Sequence, residues 1–337
     1  MKKYNVCVVG AGAVGEEMVK MIQRHKFPVK KLTVLARSAR RQKIGGRVYD
    51  VKETTMDAFN GMDIAFFAGT EGEKGASQVY GWEAVKRGCV VIDNGDDFRM
   101  DKRVPLVIPE VNPQALKKHK GLIANPNCST IIALMALAPI QKAAGIKRMV
   151  VCTYQAVSGS GAAAVRELED QVRAWAAGKK MKASVYPHPI AFNVLAQIGS
   201  VKDIPGVTTE EAKLRRETHK ILGDPSIRVS TTCVRVPVFN GHSEAIHLEL
   251  KKPLSVAKAR QVLAKGEGLK VVDDMEKSVY PMPTVASGSE ITYVGRIRKD
   301  DSVKNGLALF VSGDNLWKGA AQNAIQIAEK MIEMKLI

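Results

Sequence analysis

Over its first 125 or so residues the chain alternates short apolar runs with helix-like stretches, and this alternation limits the fold more than any other feature. The apolar runs cover residues 4–9, 32–36, 64–68, 90–93, 106–108 and 122–124, each of strand length and bounded by polar or glycine-containing segments. Between the first two, Val14, Met18 and Ile22 recur at i, i+4 and i+8, which is one face of a helix. Strands joined through helices pair in parallel, so this half predicts a doubly wound α/β sheet. The whole chain, at 337 residues, exceeds what one small core organises, and two domains are expected.

The first strand runs into Val9-Gly10-Ala11-Gly12-Ala13-Val14-Gly15. This is GxGxxG after a strand and before a helix, where glycines let the backbone approach a pyrophosphate and the helix N-terminus receives its charge. The pattern predicts a Rossmann-like dinucleotide domain. The second strand ends Val34-Leu35-Ala36-Arg37-Ser38, with no acid at the position that would bind a ribose 2′-hydroxyl. Arg37, Ser38, Arg40 and Arg41 follow in a basic loop, and cations with a hydroxyl favour the 2′-phosphate of NADP.

Beyond residue 128 the pattern changes. A helix over 161–177 precedes long strand-like runs at 227–239, 245–250, 291–298 and 307–312. They predict an α+β domain over 128–313 with a mixed, largely antiparallel sheet, suited to substrate binding and dimerisation. Asp314 then caps a last amphipathic helix, about 316–335, expected to dock on the first domain, so that 314–337 completes the NADP-binding domain of residues 1–127.

The net charge is +17, yet basic residues are scattered among acids with only short clusters such as 37–43. No zinc-finger or aromatic-basic RNA motif is present, so nucleic acid is not an expected partner. The field suits phosphorylated small molecules instead. No apolar run approaches membrane-spanning length and no signal peptide is visible, so the expectation is a cytoplasmic protein without a membrane partner. Cys7, Cys89, Cys152 and Cys233 lie in strand-like apolar runs and read as reduced core residues, with no metal site.

The fifth cysteine is different. Asn125-Pro126-Asn127-Cys128-Ser129-Thr130 places Cys128 where an extended segment stops and an apolar helix begins. Helix N-termini present unpaired N–H groups and partial positive charge, a setting that favours a thiolate and can hold an oxyanion. Three further strings carry chemistry. Gln155-Ala156-Val157-Ser158-Gly159-Ser160-Gly161 is a glycine- and serine-rich loop between strand and helix. Arg235 and His242 lie seven apart around a turn. Glu210 and Lys213 share one face of a helix at i and i+3.

Taken in order and spacing, NPNCST, QAVSGSG, AFNVLAQI, EEAK…ET and CVRVP…GHSEA resemble bacterial aspartate-β-semialdehyde dehydrogenases over nearly the whole chain. The resemblance implies that Cys128 is a nucleophile forming an acyl-thioester, that His242 is the acid/base and that Gln155 orients the substrate. It implies that Arg235 grips the α-carboxylate, Glu210 takes the α-ammonium, and Arg99, Asn127 and Lys213 hold the phosphate. Gly10, Gly12, Ala13, Val14, Gly15, Arg37, Ser38, Thr70, Ser158, Gly159 and Asn315 would lie along NADP. The reaction implied is NADP-dependent reductive dephosphorylation of L-aspartyl-4-phosphate to the semialdehyde, in biosynthesis of lysine (through diaminopimelate), threonine, methionine and isoleucine, by a homodimer or dimer of dimers. The chain departs from the family in three places. Its first turn is one residue shorter than the usual GATGxVG, the basic loop after Ala36 is shortened, and Trp317 stands where Arg is common. The rivals are a related acyl-phosphate reductase acting on N-acetylglutamyl phosphate, a CoA-thioester reductase, and a non-catalytic paralogue. Glu210 speaks against a blocked amine, and Cys128 and His242 are both intact.

Overall fold

The computed structural model describes residues 2–69 and 75–337, and the chain divides into two compact units: residues 1–127 with 320–337, and residues 128–319.

The first unit is built from β1 (Tyr4–Val9), α1 (Ala13–Arg24), β2 (Val29–Ala36), β3 (Arg40–Ile44), β4 (Arg47–Glu53), β5 (Ile64–Phe67), α2 (Ala76–Lys86), β6 (Val90–Asp93) and β7 (Leu122–Ala124). Strand order is β3-β4-β2-β1-β5-β6-β7, and every pairing except β3–β4 is parallel. The central strands are buried on both faces, so β1 and β5 read as continuous apolar runs. α1 covers one face with Met18, Val19, Met21 and Ile22, while Val14 is only half-buried. The C-terminal helix Gln322–Glu333 packs against α1, burying Ile325, Ala328 and Met331. Asn323 within it donates to the Val107 carbonyl (3.0 Å) and to Asn125 Oδ1 (2.7 Å), stitching the helix to the strand ends.

Three local expectations fail for identifiable reasons. Residues 106–108 form a single parallel bridge, Leu106 to Ala124, rather than a strand, because Pro105 and Pro109 flank the run and cannot donate. The basic stretch after Ala36 is largely strand: β3 and β4 form a hairpin closed by Gly45 and Gly46 at φ of 55° and 84°. Positive φ at both turn positions twists the hairpin correctly, and only glycine adopts it freely. Gly-Gly was the available signal, masked by the run of charged residues. The last helix does not start at 316: a π-helical turn, Trp317–Ala321, precedes it, with Asp314 Oδ1 accepting from the backbone N–H groups of Leu316 (2.8 Å) and Trp317 (2.9 Å).

The second unit holds α3 (Cys128–Ala144), β8 (Ile146–Gln155), α4 (Ala162–Ala176), α5 (Thr209–Leu222), β9 (Arg228–Arg235), β10 (His242–Leu250), α6 (Val256–Ala264), β11 (Leu269–Val271), β12 (Thr292–Asp300) and β13 (Gly306–Gly313). Its sheet runs β11-β12-β13-β10-β8-β9, parallel at the two outer pairings and antiparallel at the three inner ones. The expected strand over 227–239 stops at Arg235, ahead of Pro237, which has no N–H for a ladder. The strand expected from 245 begins earlier, at His242, so that residue stands on a strand rather than in a turn. Alternation along β10 buries His242, Glu244, Ile246, Leu248 and Leu250 on one face. α3 packs against β8, β10 and β13, and its residues Ile131 to Leu137 are all buried, as an all-round apolar helix requires.

Candidate active site

In the first unit the three glycines of the turn have separate roles. Gly10 has φ +103°, a conformation that makes the tight turn out of β1. A Cβ on Gly15 would lie 1.7 Å from the Gly10 carbonyl oxygen, so α1 can approach the strand only without a side chain there. A Cβ on Gly12 would meet nothing, which leaves open space above the first turn of α1, where Ala13 and Val14 present their N–H groups. This combination of tight turn, close packing and open backbone fits a dinucleotide pyrophosphate. Arg37 and Ser38 are exposed at the end of β2. Thr70 lies outside the described residues.

Arg99 is buried, and its guanidinium donates from Nε to the Asn125 carbonyl (3.0 Å) and from Nη2 to the Asn94 carbonyl (2.7 Å). It therefore ties together the segments following β6 and β7. Asn127, also buried, ends this unit.

In the second unit, Cys128 is the first residue of α3 and is half-buried. Gly319 stands behind it: a Cβ there would come within 2.9 Å of Cys128 Cβ. Nothing in the sequence marked Gly319.

Gln155, Arg235 and His242 form a row across the sheet. Gln155 closes β8 and pairs with Arg235, the last residue of β9, while Ser243 pairs with Tyr154 and so sets His242 beside Gln155. All three are buried. One residue's backbone clamps two of them: the Ala156 N–H donates to His242 Nδ1 (3.0 Å), and the Ala156 carbonyl accepts from Arg235 Nη1 (2.7 Å). With Nδ1 accepting, the neutral ring carries its proton on Nε2, which is buried and has no partner among the described residues. Burial first, and then the Arg235 charge, holds this histidine well below the usual imidazole range, so it is neutral. Arg235 Nε is likewise buried without a partner among the described residues.

Two neighbouring acids divide their work. Glu211 closes a capping box with Thr208 (Thr208 N to Oε2, 2.8 Å) and accepts from the Cys233 N–H (3.1 Å), fixing α5 to β9. Glu210, one residue earlier and also buried, turns to Gln155, whose Nε2 lies 3.3 Å from its Oε1. Lys213 sits half-buried one turn further along α5.

Ser158 and Asn315, assigned together by the resemblance, do meet. Asn315 Nδ2 donates to Ser158 Oγ (2.9 Å), whose hydroxyl donates to Asn240 Oδ1 (3.0 Å). The Gly241 N–H donates to Asn315 Oδ1 (2.9 Å), which anchors the backbone just before His242. Glu244, two residues along the same face of β10, escaped sequence reasoning although it lies in the GHSEA string. It is fully buried, and burial followed by the Glu210 charge pushes its carboxyl well above the usual range.

A Cβ on Gly159 would lie 3.0 Å from Arg235 Nη1 and 3.2 Å from His242 Nε2. Its backbone angle does not demand glycine, so Gly159→Ala crowds the row without backbone strain. It is expected to lower kcat/KM about tenfold to a hundredfold, since displacements on the order of 1 Å cost up to about 10². Steady-state kinetics beside a melting curve checks this; unchanged kcat/KM with unchanged stability would mean the two side chains tolerate displacement.

No group of three or more His, Cys, Asp or Glu side chains suited to a metal occurs among the described residues. Nor is any described helix long and apolar enough to cross a membrane.

The family models described as semialdehyde dehydrogenase NAD-binding domain and semialdehyde dehydrogenase dimerisation domain match residues 5–119 and 137–318. These matches define the class as semialdehyde dehydrogenases with a nicotinamide-nucleotide domain. The chain belongs to the aspartate-semialdehyde dehydrogenase family. It is 47% identical to the Aquifex aeolicus enzyme and 43% identical to that of Bacillus subtilis, with 99% of each chain covered in both cases. Aspartate semialdehyde dehydrogenase II of Vibrio cholerae, solved complexed with ASA, is similar at a TM-score of 0.93 and 40% identity, covering 99% of both chains.

Proposed function

We propose that the protein catalyses NADP-dependent reductive dephosphorylation of L-aspartyl-4-phosphate to L-aspartate-4-semialdehyde through a thioester on Cys128. The observation that carries this reading is the buried row Arg235–Gln155–His242 with Glu210 against Gln155, in the same unit as a thiol at a helix N-terminus. A guanidinium and a carboxylate on one bed suit a small zwitterion: Arg235 takes the α-carboxylate with its fork and Glu210 the α-ammonium. A substrate with a blocked amine would offer Glu210 no cation, so the N-acetylglutamyl-phosphate alternative is not favoured.

The Cys128 thiolate attacks the acyl-phosphate carbonyl, the tetrahedral adduct collapses, and phosphate leaves. NADPH, when bound, would supply the hydride for reduction of the resulting thioester. Gln155 orients the acyl group, and the His242 Nε2–H donates to the oxygen on which negative charge develops. Collapse of the thiohemiacetal returns the thiolate and releases the aldehyde. Arg99, Asn127 and Lys213 are assigned to the phosphate on the resemblance. Gly10, Gly12, Ala13, Val14, Gly15, Arg37, Ser38, Ser158, Gly159 and Asn315 are assigned to the cofactor. The dimerisation-domain match supports a homodimer or a dimer of dimers. The activity belongs to cytoplasmic biosynthesis of lysine, threonine, methionine and isoleucine.

The direct test follows absorbance at 340 nm with aspartate semialdehyde, phosphate and NADP or NAD. Rates with aspartate semialdehyde far above those with N-acetylglutamate semialdehyde are expected, and the reverse order would exclude the reading. Preference for NADP follows from the missing acid after Ala36. Replacing Arg37 and Ser38 by Asp and Ala is expected to lower kcat/KM for NADP roughly tenfold to a hundredfold, the weight of about 1.5–3 kcal/mol for hydrogen bonds to a charged group. The NAD value should move little. An unchanged ratio would remove these two residues from phosphate recognition.

A further inference from the structure

The hairpin that follows β2 carries a hydrogen-bond relay which neither the motifs nor the proposed chemistry uses. Alternation along β3 puts Arg40, Gln42 and the buried Ile44 on one face and Arg41 and Lys43 on the other. Arg41 turns to Asp50 of β4, with 3.4 Å between Nε and Oδ1, and both are exposed. Arg40 is held differently. Its Nε donates to Gln42 Oε1 (2.9 Å) and its Nη1 to the Ser38 carbonyl (3.3 Å). The Gln42 amide continues the relay: Nε2 donates to the Ala11 carbonyl in the glycine turn (2.9 Å) and to Glu16 Oε1 in the first turn of α1 (2.7 Å). A single neutral side chain thus stands between a guanidinium and a carboxylate, and fixes the guanidinium beside the turn that fits the dinucleotide.

We propose that Gln42 is a positioning residue for cofactor choice, holding Arg40 over the glycine turn as a reader of the 2′-phosphate of NADP. The proposal rests on the NADP reading above and extends it. Arg40 has no acid partner in this relay, because Gln42 engages Glu16 in its place. Without the amide, Arg40 and Glu16 would pair directly, and the carboxylate would draw the guanidinium away and oppose an arriving phosphate. Guanidinium geometry suits a phosphate held on two N–H groups, and the exposure of Arg40 leaves its outer edge accessible.

The test measures dissociation constants of NADP and NAD by fluorescence titration of the enzyme without substrate, and kcat/KM for both with aspartate semialdehyde and phosphate saturating, on the wild type, Gln42→Ala, Arg40→Ala and the double variant Gln42→Ala/Glu16→Gln. Gln42→Ala and Arg40→Ala should each lower the NADP-to-NAD ratio about tenfold or more, the range for one hydrogen bond to a charged group. The NAD value should stay within about twofold for Arg40→Ala, because Arg40 is exposed and loss of one exposed side chain is near neutral for stability; Gln42 is half-buried and also holds the Ala11 carbonyl, so for Gln42→Ala any fall shared by both cofactors is divided out by the ratio. The double variant should recover part of the ratio by removing the competing carboxylate. Loss of fold would lower both cofactors together; Arg40, on the surface, supplies the variant that folds regardless. A wild type that prefers NADP while either single variant keeps its ratio, or a double variant without recovery, overturns the proposal and leaves the NADP reading standing. A wild type that uses both cofactors equally overturns the NADP reading and the proposal with it.

Discussion

Cys128→Ser is expected to abolish turnover while the fold survives. The loss should reach about 10³-fold or more, equivalent to roughly 4 kcal/mol of transition-state stabilisation. A thiol at a helix N-terminus ionises readily and its thiolate attacks carbonyls, whereas a serine hydroxyl without an adjacent base does neither at neutral pH. His242 is not a ready base for a hydroxyl, because its Nδ1 accepts from the Ala156 N–H and its Nε2 carries the proton of the neutral ring. The structural cost is small. Cys128 opens α3 and is half-buried, and serine is well tolerated at helix starts. Serine keeps the Cβ that faces Gly319, so the packing there is unchanged. Initial rates at 340 nm beside thermal melting curves decide the matter. Activity within about tenfold of wild type, on the same rate arithmetic, would rule out the thioester.

Arg235→Lys is expected to raise KM for aspartate semialdehyde by about tenfold to a hundredfold, with a smaller fall in kcat. The guanidinium gives one arm, Nη1, to the Ala156 carbonyl and keeps a buried Nε without a partner among the described residues. A lysine ammonium keeps the charge but cannot hold the carbonyl and a carboxylate with a rigid fork. Losing one hydrogen bond to a charged group weakens binding by roughly 1.5–3 kcal/mol. Because the Ala156 carbonyl and N–H serve Arg235 and His242 in turn, some disturbance reaches the histidine, which accounts for the expected loss in kcat. Separate kcat and KM values on both enzymes test the assignment; if neither changes, the carboxylate is bound elsewhere.

Much of the architecture is legible in the amino-acid order alone. Five of the six strands expected in the first unit occur, because parallel strands buried on both faces read as unbroken apolar runs. The mixed second sheet is equally visible in its long apolar runs. What fails is local and explicable: prolines on both sides of 106–108, a hairpin hidden under basic residues, and a π-helical turn made from residues that also suit an α-helix.

The sequence by itself determined the helix that Cys128 opens, the glycine turn after β1, and the motif order that marks the family. Each of these depends on neighbours a few positions apart, where periodicity, turn chemistry and capping act directly. Tertiary structure alone decided that Glu211 closes a cap while Glu210 meets Gln155, and that Gly159 and Gly319 are bare because Cys128, His242 and Arg235 press against them. It also decided which nitrogen of His242 bears the proton, since the donor that settles it, the Ala156 N–H, lies 86 residues away along the chain. Contacts of that kind are set by sheet register and by the packing of α5 on β9, and no local pattern in the sequence encodes either.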